Sequence, residues 1–470
     1  MHSDFRAREI EFVLRYTGAA VFICPVAFRR FDYLAMVRER HPALPALRHV
    51  MAVGADVPEG VFDLRAYLDG DRPLEVPDAT LLARRPHGDD LARVAFTSGT
   101  TGDPKAVLDL HNTTNSAVRF ANRGHGITRD SVVLIFLPAK LNWGLINVLH
   151  ALEAGCTAIM LDVVEAVTAM RLIERERVVY FCCAPAHLVA MLNSPELERF
   201  DLGSLQMVVT GGASCPIEVI RAFRGHLRGS LIELYGMLET GFQSWTRPTD
   251  DPEAVCGTCG PAIFEVQSKI LDEHDQECAP GEVGEILSRG PSVTVGYYNN
   301  IGYYNNADAN ARSFTQNGTT LGTEGGWFRT GDLGTFDAQG LLRIVGRRKE
   351  MIIRGGANIY PREIEEVLYQ HPDIMDAAVI SIPDARLGER TCACVVPRAG
   401  KTLGFDDVVG FLRPKIATYK LPEMVEVLTE LPRTPTGKVQ KEPLRAMILV
   451  KLQSGPGRAA PGPTAGTTTA

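Results

Sequence analysis

Between Val178 and Tyr235 three short apolar runs recur: Val178–Ala184 (VVYFCCA), Gln206–Thr210 (QMVVT) and Leu231–Tyr235 (LIELY). Continuous apolar, strand-favouring runs of this kind are the pattern of strands covered on both faces. Between the last two, Ile217–Leu227 has helical spacing, with Ile217, Ile220 and Phe223 on one face. Strands that alternate with helices predict a largely parallel sheet wrapped by crossover helices, an α/β fold.

The pattern turns antiparallel from Val283, with a glycine every few residues, and resets after Gly346. Ile359–Gln370 (IYPREIEEVLYQ) is predicted to be an amphipathic helix, with Pro361 in its first turn, Glu363 against the dipole, and an apolar stripe of Ile364, Val367 and Leu368. Strands at Ala377–Ile382 and Thr391–Val396 and a helix at Asp406–Arg413 complete a small α+β domain of about a hundred residues. The expected architecture is α/β: a large multi-sheet N-terminal domain over residues 1–347, a small mobile α+β C-terminal domain over 348–453, and a disordered tail over 454–470, rich in Gly, Pro, Ala and Thr. Gly296–Asn300 (GYYNN) recurs as Gly302–Asn306, a local duplication within a loop, and a second glycine-rich stretch runs over Asn317–Gly326.

The 470 residues carry a net charge of −7 and a pI of about 5.9, which argues against broad nucleic-acid binding and leaves room for a local basic pocket. The first helical stretch bears charges of both signs, unlike a secretory leader. No apolar run approaches the roughly 18 residues of a membrane span; the best, Ala19–Phe28, is broken by Pro25. A cytoplasmic protein without stable membrane insertion is expected, its ten cysteines reduced. The lone Cys256-Gly-Thr-Cys259, with His274 and Cys278 downstream, reads as loop cysteines beside glycine turns in preference to a zinc or redox site.

The densest chemical signal is Thr97–Lys105 (TSGTTGDPK), after the apolar lead-in Val94-Ala-Phe. Gly99 and Gly102 let backbone close around phosphates, the hydroxyls of Thr97, Ser98, Thr100 and Thr101 add donors, and Lys105 adds positive charge. The GxxxxGK[ST] order of a Walker loop is absent.

This segment resembles the phosphate loop of the adenylate-forming superfamily, which includes acyl-CoA synthetases, luciferases and peptide-synthetase adenylation domains. Further segments agree in the family's order. Thr210-Gly-Gly-Ala-Ser, carrying Gly212, Ala213 and Ser214, resembles the adenine-binding turn, and Tyr235-Gly236-Met-Leu-Glu239 the aromatic and acidic segment. Gly326–Asp332 is similar to the ribose-binding segment, Gly346–Glu350 to the interdomain hinge, and Pro435–Lys438 to the terminal lysine loop. The similarity spans about residues 5 to 450.

The resemblance implies ATP, Mg2+ and coenzyme A as cofactors, a small carboxylic acid as substrate and no nucleic-acid partner. It casts Lys438 as the lysine that meets the carboxylate and phosphate oxygens, Glu239 as the Mg2+ ligand, and Arg347 as a donor to ribose or phosphate. Asp332 accepts the ribose hydroxyls. Tyr235 offers a ring for adenine, or else is a core tyrosine at a strand end. Lys349 marks the hinge. Gly355 and Gly356 line a passage for pantetheine, or else form an ordinary turn. Within Pro138–Gly144, Leu141, Asn142 and Trp143 border the acyl pocket. The implied activity is acyl-CoA synthesis from a fatty, cyclic or aryl acid. Alternatives are an adenylation protein that loads the phosphopantetheine of a carrier protein, and a non-catalytic nucleotide-binding module.

Three departures stand out. Leu238 replaces the family's threonine before Glu239, with Thr240 as a substitute hydroxyl. Leu141 replaces a histidine or aromatic. The chain also enters the family pattern late. The stripe Ile10, Val13 and Leu14, and a strand at Ala20–Cys24 buried on both faces, are therefore expected to lack partners.

Overall fold

The three apolar runs fold as Tyr180–Cys183, Met207–Gly211 and Ser230–Met237, adjacent and parallel as the pattern predicts. The computed structural model describes residues 5–28, 30–70, 76–96, 105–139, 141–161, 165–213, 215, 217–250, 257–294, 307–315, 326–433 and 438–454. The phosphate-loop residues Thr97–Pro104, Ser214, Cys256, the GYYNN pair, 316–325 and the tail 455–470 lie outside these; Ser454, assigned to the tail, closes the helix Lys441–Ser454. The chain divides into two compact units, Met1–His87 and Gly88–Ala470.

In the second unit, Val132–Ile135 and Thr157–Met160 extend the parallel sheet on one side, and Gly241–Trp245 closes it antiparallel on the other. Both faces are covered, as a parallel sheet requires. Helices Ala166–Glu176, Pro185–Leu192 and Ile217–His226 pack on Phe136, Phe181 and Val208, while His111–His125 and Asn142–Ala154 pack on Val133, Tyr180 and Val209. A four-stranded antiparallel sheet follows, Gln267–Leu271, Gly284–Arg289, Phe328–Phe336 and Leu342–Arg347.

After the short turn Arg348–Glu350 the chain builds its own sheet around the long hairpin of Ile374–Asp384 and Gly388–Pro397. The expected helix is shorter than its periodicity: it runs Pro361–Leu368, and Ile359 ends the strand Ala357–Ile359. Proline disfavours helical backbone in the residue before it, and Tyr360 is extended at φ −97° and ψ 112°.

The first unit corrects two expectations. Helix Ala7–Thr17 is partnered: Ile10 and Leu14 are buried with Phe22, Cys24, Leu34 and Val37, and Val13 is half-buried. The following strand runs Val21–Pro25 at the edge of a three-stranded parallel sheet, and alternation decides its burial. Phe22 and Cys24 point into the core, while Val21 and Ile23 are 43% and 55% exposed.

Among the described residues no helix is long and apolar enough to cross a membrane, and no group of three His, Cys, Asp or Glu side chains is placed to hold a metal. The described cysteines are free thiols, most of them buried.

One group sits in the parallel sheet against the usual preference. Glu233 lies opposite Thr210, buried on the apolar face, where Oε1 accepts from the Cys215 amide at 3.1 Å and Oε2 has no partner among the described residues. Burial pushes its pKa up from 4.5 to about 8. The folded state thus holds a proton that the unfolded state gives up near 4.5, so stability falls as pH rises from there through about 8. Glu233→Gln is expected to raise the melting temperature, by more at pH 9 than at pH 5. Melting curves across that range check this, and a pH-independent difference would contradict it.

Candidate active site

Asp332 and Arg347 stand opposite each other on adjacent antiparallel strands, Arg347 Nε 3.2 Å from Asp332 Oδ1. The second carboxylate oxygen of Asp332 accepts from the Tyr235 hydroxyl at 2.9 Å. That bond joins the antiparallel sheet to the end of the parallel strand Ser230–Met237. Asp332's charge is the main reason Arg347's pKa lies above its ordinary value. Burial first, and Asp332 second, push the Tyr235 phenol well above its own. The Tyr235 ring packs with Cys259, Ile270, Ile286 and Leu342.

Lys438 comes to the same place from the far end of the chain. A β-carbon at Gly212 would stand 3.2 Å from Lys438 Cε and 3.6 Å from Nζ, so the lysine lies against the turn that follows Met207–Gly211. Gly212 has φ +75°, the left-handed region in which glycine carries no steric penalty. Lys438 retains solvent-exposed surface, yet crowding by protein atoms lowers its pKa; Arg347 adds repulsion, and Asp332 and Glu239 oppose it. Glu239 is buried, and its backbone carbonyl accepts from the Thr294 amide at 2.6 Å.

Gly236 follows Tyr235 at a bulge between Ser230–Met237 and Gly241–Trp245. Ala213 is exposed beside Gly212. Lys105 is half-buried and precedes Ala106–Leu110, which pairs antiparallel with Leu91–Phe96. The apolar lead-in Val94–Phe96 is half-buried; the return strand is the buried one. Leu141 precedes the first turn of Asn142–Ala154, and Trp143 reaches the end of Met207–Gly211: a β-carbon at Gly211 would lie 3.2 Å from Trp143 Cη2. Trp143 Nε1 and Asn142 Oδ1 are buried without a partner among the described residues.

Lys349 sits in the turn Arg348–Glu350, between the antiparallel sheet and the sheet that follows. Gly355 and Gly356 form the two-residue tip of a hairpin, Arg354 opposite Ala357, with φ +56° and +86° and the Gly355 amide donating to Leu387 O at 2.7 Å. Two positive φ values are what a type I′ turn demands.

The idea that Thr240 replaces the hydroxyl lost at Leu238 does not hold. Thr240 is fully buried, and its Oγ1 accepts from Gln243 Nε2 at 2.5 Å. Leu238 packs instead on Val107. Lys441, three residues after Lys438, is a site feature the sequence did not disclose. Its ammonium lies 2.8 Å from Glu365 and 3.3 Å from Glu350, and both partners are more than 70 residues away in sequence.

Comparison with known proteins fits this geometry. The AMP-binding enzyme family pattern matches residues 1–298, and that of the AMP-binding enzyme C-terminal domain matches 363–438. The chain is 35% identical over 455 residues to a 2-hydroxy-7-methoxy-5-methyl-1-naphthoate–CoA ligase of Streptomyces carzinostaticus, covering 94% of this chain and 78% of that protein. It is 33% identical over 457 residues to a medium-chain fatty-acid–CoA ligase of Escherichia coli, covering 96% and 76%. ATP-bound MatB from Rhodopseudomonas palustris superposes with a TM-score of 0.81 at 26% identity, covering 95% of this chain and 82% of that one. Fold, site and similarity together define an α/β enzyme with a nucleotide site. The chain belongs to the AMP-binding enzyme family.

Gly212→Ala adds a methyl at a left-handed position, at about 1–2 kcal/mol, and drives it against Lys438. Acid-dependent pyrophosphate exchange is expected to fall at least about 10-fold, a misplaced reacting group being that costly, while the melting point drops by only a few degrees. Exchange at the wild-type rate would show that Lys438 does not need this turn.

Proposed function

We propose that the chain activates a carboxylic acid with ATP and passes the acyl group to coenzyme A. In the first step a carboxylate oxygen bonds to the α-phosphorus of ATP as the bond to pyrophosphate breaks, giving acyl-AMP. In the second the thiolate of coenzyme A bonds to the acyl carbon and AMP leaves. The observation that carries this reading is the convergence of Lys438 with Arg347, Asp332 and Glu239 beside Gly212. Two anions must meet in the first step, and oriented cations in a partly desolvated site lower that barrier.

Asp332 accepts the ribose hydroxyls, Arg347 donates to ribose or phosphate, Tyr235 flanks the adenine, and Lys438 contacts the reacting oxygens. The buried Glu239 carboxylate fits a magnesium ion held by one acid and the substrate phosphates. When bound, such an ion neutralises phosphate charge. Leu141, Asn142 and Trp143 border the acid, Trp143 lying next to Gly211. Named relatives act on naphthoate and medium-chain fatty acids, and the acid here is taken to be fatty, cyclic or aryl. The working division is a large domain to Arg347 and a small one that turns about Lys349, withdrawing Lys438 and bringing the Gly355–Gly356 tip to the thiol; the separate sheet after Glu350 supports it. The proposed location is the cytoplasm.

The test is pyrophosphate exchange over octanoate, indoleacetate and a naphthoate, followed by addition of coenzyme A or a phosphopantetheinylated carrier protein. Acid-dependent exchange with acyl-CoA as product is expected; no exchange with any acid of the panel would sink the reading, and product only on the carrier would redirect the second step. Lys438→Ala should abolish adenylation and spare thioester formation from supplied acyl-AMP. Equal loss in both half-reactions would contradict the role. Because Lys438 must be charged and its pKa is lowered, adenylation should decline on the basic side at a pH below the 10.5 of an ordinary lysine. A flat rate up to that pH would count against the assignment.

A further inference from the structure

Lys441 opens the helix Lys441–Ser454, three residues beyond Lys438, with its side chain 18% exposed. Its Nζ lies 2.8 Å from Glu365 Oε1 and 3.3 Å from Glu350 Oε2. Glu365 is on the helix Pro361–Leu368, and the same oxygen accepts from the Val379 amide at 2.7 Å. Glu350 closes the turn that begins immediately after Arg347. Burial opposes charge on Lys441, but the two carboxylates outweigh it and hold the ammonium protonated.

A buried ion pair of this kind adds little net stability, since desolvation offsets most of the attraction. What it provides is a fixed location. The residues that lead away from Lys438 are pinned in succession: Val439 bridges to Arg433, the Gln440 amide donates to Pro432 O at 2.8 Å, and Lys441 is tied to Glu350 and Glu365. Arg433 is itself paired with Asp376 of the long hairpin. Glu350 therefore faces Lys441 while its charge also acts on Arg347 and Lys349.

We propose that Lys441, clamped by Glu350 and Glu365, is a positioning residue that fixes the root of the Lys438 segment against the turn beside Arg347. The clamp sets where Lys438 falls when the small domain presents it to the nucleotide. All three members follow the pivot at Lys349, so the clamp travels intact with the small domain. The proposal rests on the assignment of Lys438 to adenylation.

The test compares Glu350→Gln, Lys441→Met, Lys441→Arg and Lys438→Ala in the full chain. It uses the acid that the wild-type chain accepts, and measures both half-reactions and melting. Glu350→Gln leaves Lys441 paired with Glu365, so no buried cation is stranded. Glu350→Gln and Lys441→Met should lower the adenylation kcat by about 10- to 100-fold, with KM for ATP and acid changed less than about twofold. Thioester formation from supplied acyl-AMP should be unchanged. Lys441→Arg should recover most of the rate, and Glu350→Gln combined with Lys441→Met should be no slower than Lys441→Met alone. Wild-type adenylation in both clamp variants, with Lys438→Ala inactive, would overturn the clamp and leave the proposed function standing. Equal losses in both half-reactions would reduce Lys441 to scaffold and overturn it as well. Full adenylation by Lys438→Ala would remove the premise, and the clamp with it.

Discussion

Asp332 and Arg347 meet because two antiparallel strands place them in register, and this pairing fixes the layout of the site. A buried carboxylate needs donors for both oxygens. Arg347 serves one, and the Tyr235 hydroxyl, from the neighbouring parallel sheet, serves the other. The bond between Tyr235 and Asp332 thus joins two sheets whose strand directions arise from different sequence patterns. Slipping the register of Phe328–Phe336 by one residue would turn Asp332 to the opposite face and leave Arg347 and Tyr235 without their shared acceptor.

The same pairing settles how charge divides among the cations. Arg347, in contact with Asp332, has its pKa raised, whereas Lys438 has its pKa lowered by crowding and by Arg347. A guanidinium is charged in any protein environment, and an ammonium is the more easily neutralised partner. Fixed positive charge therefore belongs to the antiparallel sheet. The lysine contributed by the far end of the chain carries the adjustable share.

The α/β core was legible because its strands are unbroken apolar runs and its helices show a single stripe. Tyr180–Cys183, Met207–Gly211 and Ile217–His226 fall where the residues point. Helix ends were less legible: Ile359 and Tyr360 satisfy the helical period, but Pro361 governs the backbone before it. The expectation of unpartnered residues near the N-terminus failed for Ile10 and Leu14, because periodicity shows that a stripe needs covering and not that residues between Phe22 and Ala52 supply the cover. At the site, segments with glycines and fixed spacing could be read singly. Their meeting could not, since Lys438 and Gly212 are more than 200 residues apart and only the fold makes them neighbours. Thr240 was misjudged because a hydroxyl in sequence carries no record of Gln243 beside it. Lys441 left no pattern at all, because lysine is ordinarily a surface residue.

The hairpin tip at Gly355 and Gly356 is tied at both ends: Arg354 faces Ala357, and the Gly355 amide is held by Leu387. A two-residue turn with both φ values positive has no slack to absorb a change in its surroundings. The tip is consequently a stencil of bare backbone with a fixed outline. If the proposed thiol passage runs here, the acceptor meets peptide edges at the apex, with the Leu387 side chain beside Gly355, and any preference among acceptors would turn on calibre and length of reach. On that proposal, widening the choice of acceptor would mean recutting the turn itself, since neither glycine at its apex has a side chain to exchange.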